Sequence, residues 1–392
     1  MATFLLVIIY VVYIGLGIPD SALGAAWPKM YLDLGVLVGG QSIVAILVSV
    51  GTVSASFFSA KIINKMGTGL VSALSTALTA VALLGFALSP NIWWIYLCSL
   101  PLGFGAGAID AALNNYVAVH YKSTHMSFMH CFYGLGVIAS PFVMSLTLSL
   151  ANGWRLGYGI IFIIQAVLTV ISLVALPLWK KVKRAEPEEE QFTPRTLTNK
   201  EMFKMPAVRA GCVVFFFATS LEFTCDMWAS TYLVQVEGLL ADVAAGFLSL
   251  YYAGILIGRF VNGLIGTKLS CGKILTVGYS LIALSIVVLF LPIPAQIKGY
   301  VLFLLGFGIG PTFPNLTYMT PINFGKDVSQ SIVGLQMVAC NVGILLMPPI
   351  FGLLAEKVSV ALFPIFIALL FAVQVAYTFI YDHRLKKTGK GL

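Results

Sequence analysis

The sequence predicts an all-α membrane protein with twelve transmembrane helices, arranged as two pseudo-symmetric six-helix bundles. Three observations indicate this fold: the composition, a series of long apolar segments, and an internal repeat. Of the 392 residues, 59% are hydrophobic and only 10% are charged, whereas soluble domains carry about 25% charged residues. Such a composition excludes an ordinary soluble globular protein.

The apolar segments predict twelve spans, because about 20 apolar residues cross a bilayer as a helix. The first segment has no basic region before it, so we expect it to remain as a span rather than to be removed as a signal peptide. The predicted spans are residues 4–28, 36–60, 68–89, 92–119, 126–150, 155–179, 207–235, 240–265, 271–293, 297–320, 329–353 and 358–381.

The basic residues predict the orientation. With both termini in the cytoplasm, the internal loops and the tail hold eighteen Lys and Arg residues, and the external side holds four. Basic residues accumulate on the cytoplasmic side of membrane proteins. We therefore expect an integral protein of the plasma (cell inner) membrane with both ends inside. Because these residues are spread over many loops, we expect the partner to be a lipid bilayer and not nucleic acid. We also expect the protein to be a monomer.

The internal repeat is clearest in span four, where residues 103–116 read GFGAGAIDAALNNY. A near-copy, GFGIGPTFPNLTY, occupies residues 306–318 of span ten, and its glycines follow those of the first copy by 203 residues. Only the first copy carries an acid, because Asp110 corresponds to Phe313. Two further pairs, Asp20 with Glu222 and Trp27 with Trp228, are separated by 202 and 201 residues. The sequence therefore predicts a duplicated six-helix unit.

One long polar segment separates the two copies. It begins at Lys180 and reads KKVKRAEPEEEQFTPRTLTNKEMFKMPAVR. A solvated linker is the interpretation that such a charge run favours, and a regulatory or lipid-contacting helix is the alternative. The predicted organisation is an N-terminal bundle at residues 1–179, a cytoplasmic linker at 180–206, and a C-terminal bundle with a short cytoplasmic tail at 207–392.

Ionisable residues within the spans are the candidates for function. A charge at bilayer depth costs about 2.5 kcal/mol or more, so such residues usually face a water-filled cavity or one another. The set comprises Asp20, Asp110, Glu222, Asp226 and Arg259, together with the titratable His130.

Asp110 and Asn114 are four residues apart and so share one face of a helix. A carboxylate beside an amide offers both acceptors and donors, which suits the hydroxyl groups of a sugar. Asp20 precedes Trp27 by seven residues on roughly the same face, and an aromatic ring beside an acid is a common sugar platform. The alternatives are a structural role for either acid and an interfacial position for Trp27.

The other polar positions leave two interpretations open. Glu222 is expected to face the cavity, whereas Arg259 is expected to brace helices or to reach the interface. His130 either contacts substrate or relays protons, or it is a satisfied structural group. Pro311 is expected to kink span ten together with Pro314, because proline interrupts helical hydrogen bonding.

Four motifs taken together resemble those of the fucose/glucose:proton symporter family within the major facilitator superfamily. They are GIPDSALGAAWP at residues 17–28, Asp110-x-x-x-Asn114, Glu222-(x)5-Trp228-(x)3-Tyr232, and GFGIGPTFPN at residues 306–315. The likeness extends over spans one, four, five, seven, ten and eleven. Each motif alone is a weak signal, and the set is specific.

The resemblance implies alternating access and a proton-linked pair of acids, whose positions fall on Asp20 and Asp110. In the fucose transporter a span-five amide lines the sugar site, and His130 falls at that place here. Members of the family couple sugar uptake to H+ or Na+, and no other cofactor and no metal site is expected. The predicted substrate contacts are Asp20, Trp27, Asp110, Asn114, His130, Glu222, Trp228, Asn315, Gln336 and Asn341.

The function predicted from the sequence is cation-coupled uptake of a monosaccharide by a secondary active transporter. An exporter of drugs or other small metabolites on the same fold is the main alternative, and a membrane receptor or scaffold is a lesser one. The sequence contains no phosphate-binding loop and no spacing typical of a catalytic triad or a metal cluster. An enzyme is therefore not expected.

Overall fold

The computed structural model describes residues 2–121, 123–179, 197–266 and 268–386, and the regular secondary structure in these ranges is helical. The first half forms α1 (Ala2–Asp33), α2 (Gly40–Met66), α3 (Thr68–Ala87), α4 (Ile92–His120), α5 (Ser123–Thr147), α6 (Gly153–Val174) and the short α7 (Leu176–Trp179). The second half forms α8 (Asn199–Lys204), α9 (Pro206–Gln235), α10 (Ala241–Ile265), α11 (Cys271–Phe290), α12 (Ala295–Ile309), α13 (Thr312–Phe324), α14 (Lys326–Lys357) and α15 (Phe363–Lys386), with a 3-10 turn at Val360–Leu362.

The helices are long and apolar enough for a membrane protein. Eleven segments of the described chain meet the length and composition needed to cross a bilayer, with α12 and α13 counted together as one segment. The helix α2 contributes a shorter apolar stretch, Gly40–Ala55. The predicted all-α membrane fold is thereby confirmed. In the described part of the chain, the predicted spans fall on these eleven segments and on α2.

Span ten is interrupted where the sequence predicts a kink. The helix α12 ends at Ile309 and α13 begins at Thr312, with Pro311 immediately before it. Proline has no amide hydrogen to donate to the preceding turn, so continuous helical bonding fails there. The prediction is confirmed for Pro311, whereas Pro314 lies within the first turn of α13, where proline is tolerated.

The chain divides into two compact units. The first unit comprises Met1–Pro187 with Leu240–Ser249, and the second comprises Glu188–Leu239 with Leu250–Leu392. In the first unit α1 packs on α5 and α6, and α4 packs on α2 and α3. In the second unit α9 packs on α14 and α15, and α11 packs on α12. The first turns of α10 thus group with the first unit.

Close helix packing repeats at the same place in both units. A Cβ atom added to Gly103 of α4 would lie 1.9 Å from the carbonyl oxygen of Val48 in α2. One added to Gly306 of α12 would lie 2.1 Å from the carbonyl oxygen of Tyr251 in α10. Only glycine permits such an approach of two backbones. The two glycines are 203 residues apart, and so are Val48 and Tyr251, whose carbonyl groups they approach. The packing therefore follows the sequence repeat.

The predicted linker at residues 180–206 falls mainly outside the described residues, which resume at residue 197. Its described part contains α8, whose first turn carries a capping box. Thr198 accepts a hydrogen bond from the backbone amide of Glu201, and the Glu201 carboxylate accepts one from the backbone amide of Thr198. This reciprocal pair stabilises the start of a short helix. The predicted tail beyond Lys386 also lies outside the described residues, and the predicted boundary between the bundles stays a prediction.

Candidate substrate and coupling site

Asp110 lies in a hydrogen-bonded group that joins α1 to α4. The Tyr13 hydroxyl donates to Asp110 Oδ1 over 2.5 Å. Asn114 lies one turn further along α4. Its amide nitrogen donates to the same Asp110 oxygen over 2.8 Å and to the Tyr13 hydroxyl oxygen over 2.7 Å. The predicted pairing of carboxylate and amide on one helix face is therefore present. The Asp110 side chain remains exposed, whereas Tyr13 is buried.

Asp20 lies on the same face of α1 as Tyr13, because seven residues make about two helical turns. Its carboxylate Oδ2 accepts a short hydrogen bond from the hydroxyl of Tyr133 in α5. Like Asp110, Asp20 is exposed. The two phenols that bind these acids, Tyr13 and Tyr133, have ring centroids 6.2 Å apart. The structure therefore joins, through these two tyrosines, the two acids to which the family resemblance gives a coupling role.

The rings of three side chains pack beside these acids. The Tyr13 and His130 rings meet edge to face with their centroids 5.5 Å apart, and the Tyr13 and Tyr133 centroids are 6.2 Å apart. His130 and Tyr133 are three residues apart on α5 and therefore share a face. We call this set of six side chains the acid–tyrosine cluster: Tyr13, Asp20, Asp110, Asn114, His130 and Tyr133.

Both carboxylates of the acid–tyrosine cluster accept hydrogen bonds from neutral donors. Among the described residues, no Lys or Arg forms an ion pair with Asp20 or Asp110. Two negative charges at membrane depth without a cation are unfavourable, and a proton or a bound cation relieves their repulsion. The cluster thus presents phenol, amide and carboxyl groups that can form hydrogen bonds with a polar ligand.

The structure places both predicted tryptophans in helix packing. Trp27 and Trp228 have no exposed surface. The Trp27 indole donates to the carbonyl oxygen of Val38 over 2.7 Å, and that of Trp228 donates to the carbonyl oxygen of Pro348 over 3.0 Å. Neither ring presents a face to open space in this structure. A sugar could stack on either ring only after this packing opened.

Glu222 lies in the second unit and forms an ion pair. Arg259 Nη2 donates to Glu222 Oε1 over 3.2 Å, which links α10 to α9. The Glu222 side chain is 16% exposed and that of Arg259 is 37% exposed. The bracing role expected for Arg259 therefore has a specific partner. A ligand of Glu222 would have to share it with this guanidinium group.

The three polar positions of α13 and α14 differ in access. Asn315 is buried, and its amide donates to Asn262 Oδ1 and to the Pro311 carbonyl oxygen, both over 2.8 Å. Gln336 is also buried, and its Oε1 accepts from Thr320 over 3.0 Å. Asn341 is exposed. Of the three, Asn341 alone is accessible to a ligand in this structure.

Sequence reasoning missed the two tyrosines of the cluster. Tyr13 lies seven residues before Asp20, and Tyr133 lies three residues after His130. Both spacings place the phenol on the face of a residue already identified. The signal was therefore present in the helical period, but an apolar stretch rich in tyrosine does not by itself distinguish a functional phenol from a core residue.

Comparison with known proteins places the chain among transporters. The family model described as Major Facilitator Superfamily matches residues 9–348. "Bypass of stop codon protein 6" of Saccharomyces cerevisiae is 22% identical over 391 residues, covering 91% of this chain and 78% of that protein. The glucose/mannose transporter GlcP of Bacillus subtilis is 24% identical over 330 residues, covering 82% of this chain and 80% of that protein. The solved nucleoside transporter NupG has the same fold, with a TM-score of 0.71 at 14% identity, covering 96% of this chain and 98% of that one.

Proposed function

Because the chain belongs to the Major Facilitator Superfamily, we propose that it takes up a monosaccharide together with a cation by alternating access. The coarser statement, that it is a membrane transporter, follows from the family. Two observations support the finer one. The acid–tyrosine cluster groups hydroxyl, amide and carboxyl side chains, and a curated relative carries a name that specifies glucose and mannose.

The single observation that carries the proposal is that Asp20 and Asp110 belong to one cluster, in which each accepts hydrogen bonds from neutral donors. Tyr13 and Asn114 bind Asp110, and Tyr133 binds Asp20. Phenol and amide donors stabilise a carboxylate without neutralising it, so each acid keeps the capacity to take up a proton or a metal cation. Sugar hydroxyls can replace these donors, since they also donate to carboxylates.

In the proposed cycle, a cation enters the acid–tyrosine cluster and removes the repulsion between the two acids. The sugar then exchanges hydrogen bonds with Asp110 and Asn114. The neutralised, liganded form is the one able to cross to the other orientation, because it carries less uncompensated charge through a low-dielectric state. Rocking of two six-helix repeats around a central site is the mode of access that this architecture uses.

The test is uptake into proteoliposomes with a panel of labelled hexoses, driven separately by a proton gradient and by a sodium gradient. Accumulation of one or more hexoses under one gradient supports the proposal and identifies the coupling ion. Extrusion of amphipathic compounds without sugar counterflow would instead favour the exporter. Equilibration of sugar without accumulation under either gradient would overturn coupling while leaving a sugar carrier in place.

The proposed location is the plasma (cell inner) membrane, with both termini in the cytoplasm. The distribution of Lys and Arg, eighteen internal against four external, supports this orientation. Accessibility of a cysteine introduced near Leu37, in the connection between α1 and α2, tests it in intact cells. Labelling by an impermeant reagent is expected there.

A further inference from the structure

A small cavity lies inside the second unit, apart from the acid–tyrosine cluster. Residues of α9, α11, α12, α13 and α15 line it, including Ala218, Glu222, Thr312 and Gln374. It has room for about one water molecule. Most of the remaining wall is apolar, so its few polar atoms determine what it can hold.

Two of the lining residues each have a side-chain oxygen that is buried without a partner among the described residues, namely Thr312 Oγ1 and Gln374 Oε1. Thr312 is 3% exposed and Gln374 is 1% exposed. The amide nitrogen of Gln374 donates to the Tyr279 hydroxyl over 3.3 Å, which leaves its carbonyl oxygen for another donor. Buried polar atoms in native proteins nearly always have a partner, either protein or ordered water.

The sequence repeat explains why the cavity exists. Ala218 corresponds to Leu16 of the first unit at a separation of 202 residues, and Thr312 corresponds to Ile109 at a separation of 203. Leu16 and Ile109 belong to the apolar core of the first unit. At the same place the second unit has therefore lost side-chain volume and gained a hydroxyl group. The same two replacements thus account for both the free volume and the hydroxyl group of the cavity.

We propose that this cavity binds one water molecule, held by Thr312 Oγ1, Gln374 Oε1 and the Glu222 carboxylate. The donors and acceptors balance. Water donates one hydrogen to Gln374 Oε1 and one to Glu222, and it accepts the hydrogen of the Thr312 hydroxyl. Because Arg259 already compensates the charge of Glu222, the site has no need of a cation. A water molecule with three such partners is typical of buried hydration sites.

The bound water gives Thr312 and Gln374 a role as positioning residues. It extends a hydrogen-bonded chain from Arg259 through Glu222 to Gln374 and on to Tyr279, which continues to Thr378 over 3.1 Å. The chain connects α10, α9, α15 and α11. The water thereby adds a second partner for the Glu222 carboxylate beside Arg259. This inference does not depend on the transported substrate.

The first test compares thermal unfolding of three single variants and one double variant of the full-length protein. Ala218→Leu fills the cavity and expels the water while both polar atoms remain, so we expect a decrease in Tm of about 3 °C or more. Thr312→Val removes one partner and is also expected to lower Tm. In the double variant, Ala218→Leu should lower Tm by less than it does alone, because Thr312→Val has already removed one of the polar atoms that would lose the water. Thr317→Val is the matched control, since its hydroxyl is also buried in α13 without a described partner but lies outside the cavity wall.

The second test observes the water directly. It distinguishes loss of the water from destabilisation of Ala218→Leu by overpacking. In a density map that resolves ordered water, we expect a peak within hydrogen-bonding distance of Thr312 Oγ1 and Gln374 Oε1, and its loss in Thr312→Val. A cavity without a peak, in a map that shows other buried waters, would overturn the proposal. So would an increase in Tm for Ala218→Leu in both backgrounds, which indicates a dry void. A peak that appears only with added sodium would assign a cation instead.

Discussion

The two units share a backbone plan and differ in the groups that face their acids. In the first unit Asp20 accepts from the phenol of Tyr133, whereas its counterpart in the second unit, Glu222, pairs with the guanidinium of Arg259. The difference extends along the repeat. Tyr13 and Asp110 correspond to Phe215 and Phe313, whose rings pack edge to face with centroids 5.8 Å apart.

This difference separates two uses of one fold. The contact of Gly103 with α2 has a counterpart in the contact of Gly306 with α10. Glycine is kept at both positions because close helix packing tolerates no side chain there. The polar positions are free to diverge, since the packing does not depend on them. An acid with neutral donors can exchange a cation, whereas an acid paired with arginine is already compensated. This contrast supports our proposal that the acids of the first unit serve coupling, whereas the Glu222–Arg259 pair links α9 to α10.

The largest expected effect is on coupling, and it tests the comparison directly. Asp110→Asn removes an ionisable group from the acid–tyrosine cluster while preserving its size. We expect complete loss of gradient-driven accumulation, with sugar counterflow retained at a reduced rate. Glu222→Gln, which neutralises the counterpart of Asp20 in the second unit, should retain accumulation. Uphill uptake by Asp110→Asn in proteoliposomes, or its loss only in Glu222→Gln, would reverse the assignment of roles.

The next largest effect concerns an ion pair in the second unit. Lys298 Nζ lies 2.7 Å from Glu237 Oε1, with side chains only 10% and 12% exposed, and Tyr232 also donates to this carboxylate. Removing one partner of a buried pair leaves an uncompensated charge, so Lys298→Met should lower the free energy of unfolding by about 3 kcal/mol.

The control for this pair lies in the first unit. Lys29 approaches Asp33 at 4.0 Å, and the lysine side chain is 46% exposed. Exposed pairs contribute about 0–1 kcal/mol, so Lys29→Met should change the unfolding midpoint little. The measurement is thermal unfolding of both variants in the same detergent. Equal shifts would mean that burial does not distinguish the two ion pairs.

A third prediction concerns what the units have in common. Gly103→Ala and Gly306→Ala each force a methyl group against a backbone carbonyl, and each should cost roughly 1–3 kcal/mol of unfolding free energy. Gly334→Ala is the control, because a Cβ atom there meets nothing within 4 Å and alanine favours the helix of α14. Unfolding midpoints of the three purified variants provide the check. A cost in only one of the two units would show that the packing has diverged along with the polar groups.

The sequence predicts most of the fold and a smaller part of the site. Apolar length and the 203-residue repeat are sufficient for the helices, and Pro311 for the break in span ten, because these features act locally. The roles of Trp27 and Trp228 could not be derived, since the carbonyl groups that accept from them belong to other segments. The partner of Glu222 was equally hidden, because Arg259 lies 37 residues away on another helix.

The smallest predicted effect comes from converting a residue of the first unit into its counterpart in the second. Tyr13→Phe reproduces Phe215 and removes one hydrogen bond to the Asp110 carboxylate, a contact to a charged group that contributes about 1.5 kcal/mol. Because the sugar then no longer has to displace the Tyr13 hydroxyl from Asp110, we expect KM for the transported hexose to fall by roughly tenfold, with little loss of folded protein. Tyr279→Phe is the control in the second unit, where the lost hydroxyl contacts Thr378 and Gln374 instead of an acid. Equal KM values for both variants would indicate that the Tyr13 phenol contributes packing alone, and the contrast between neutral and cationic donors would then rest on Tyr133.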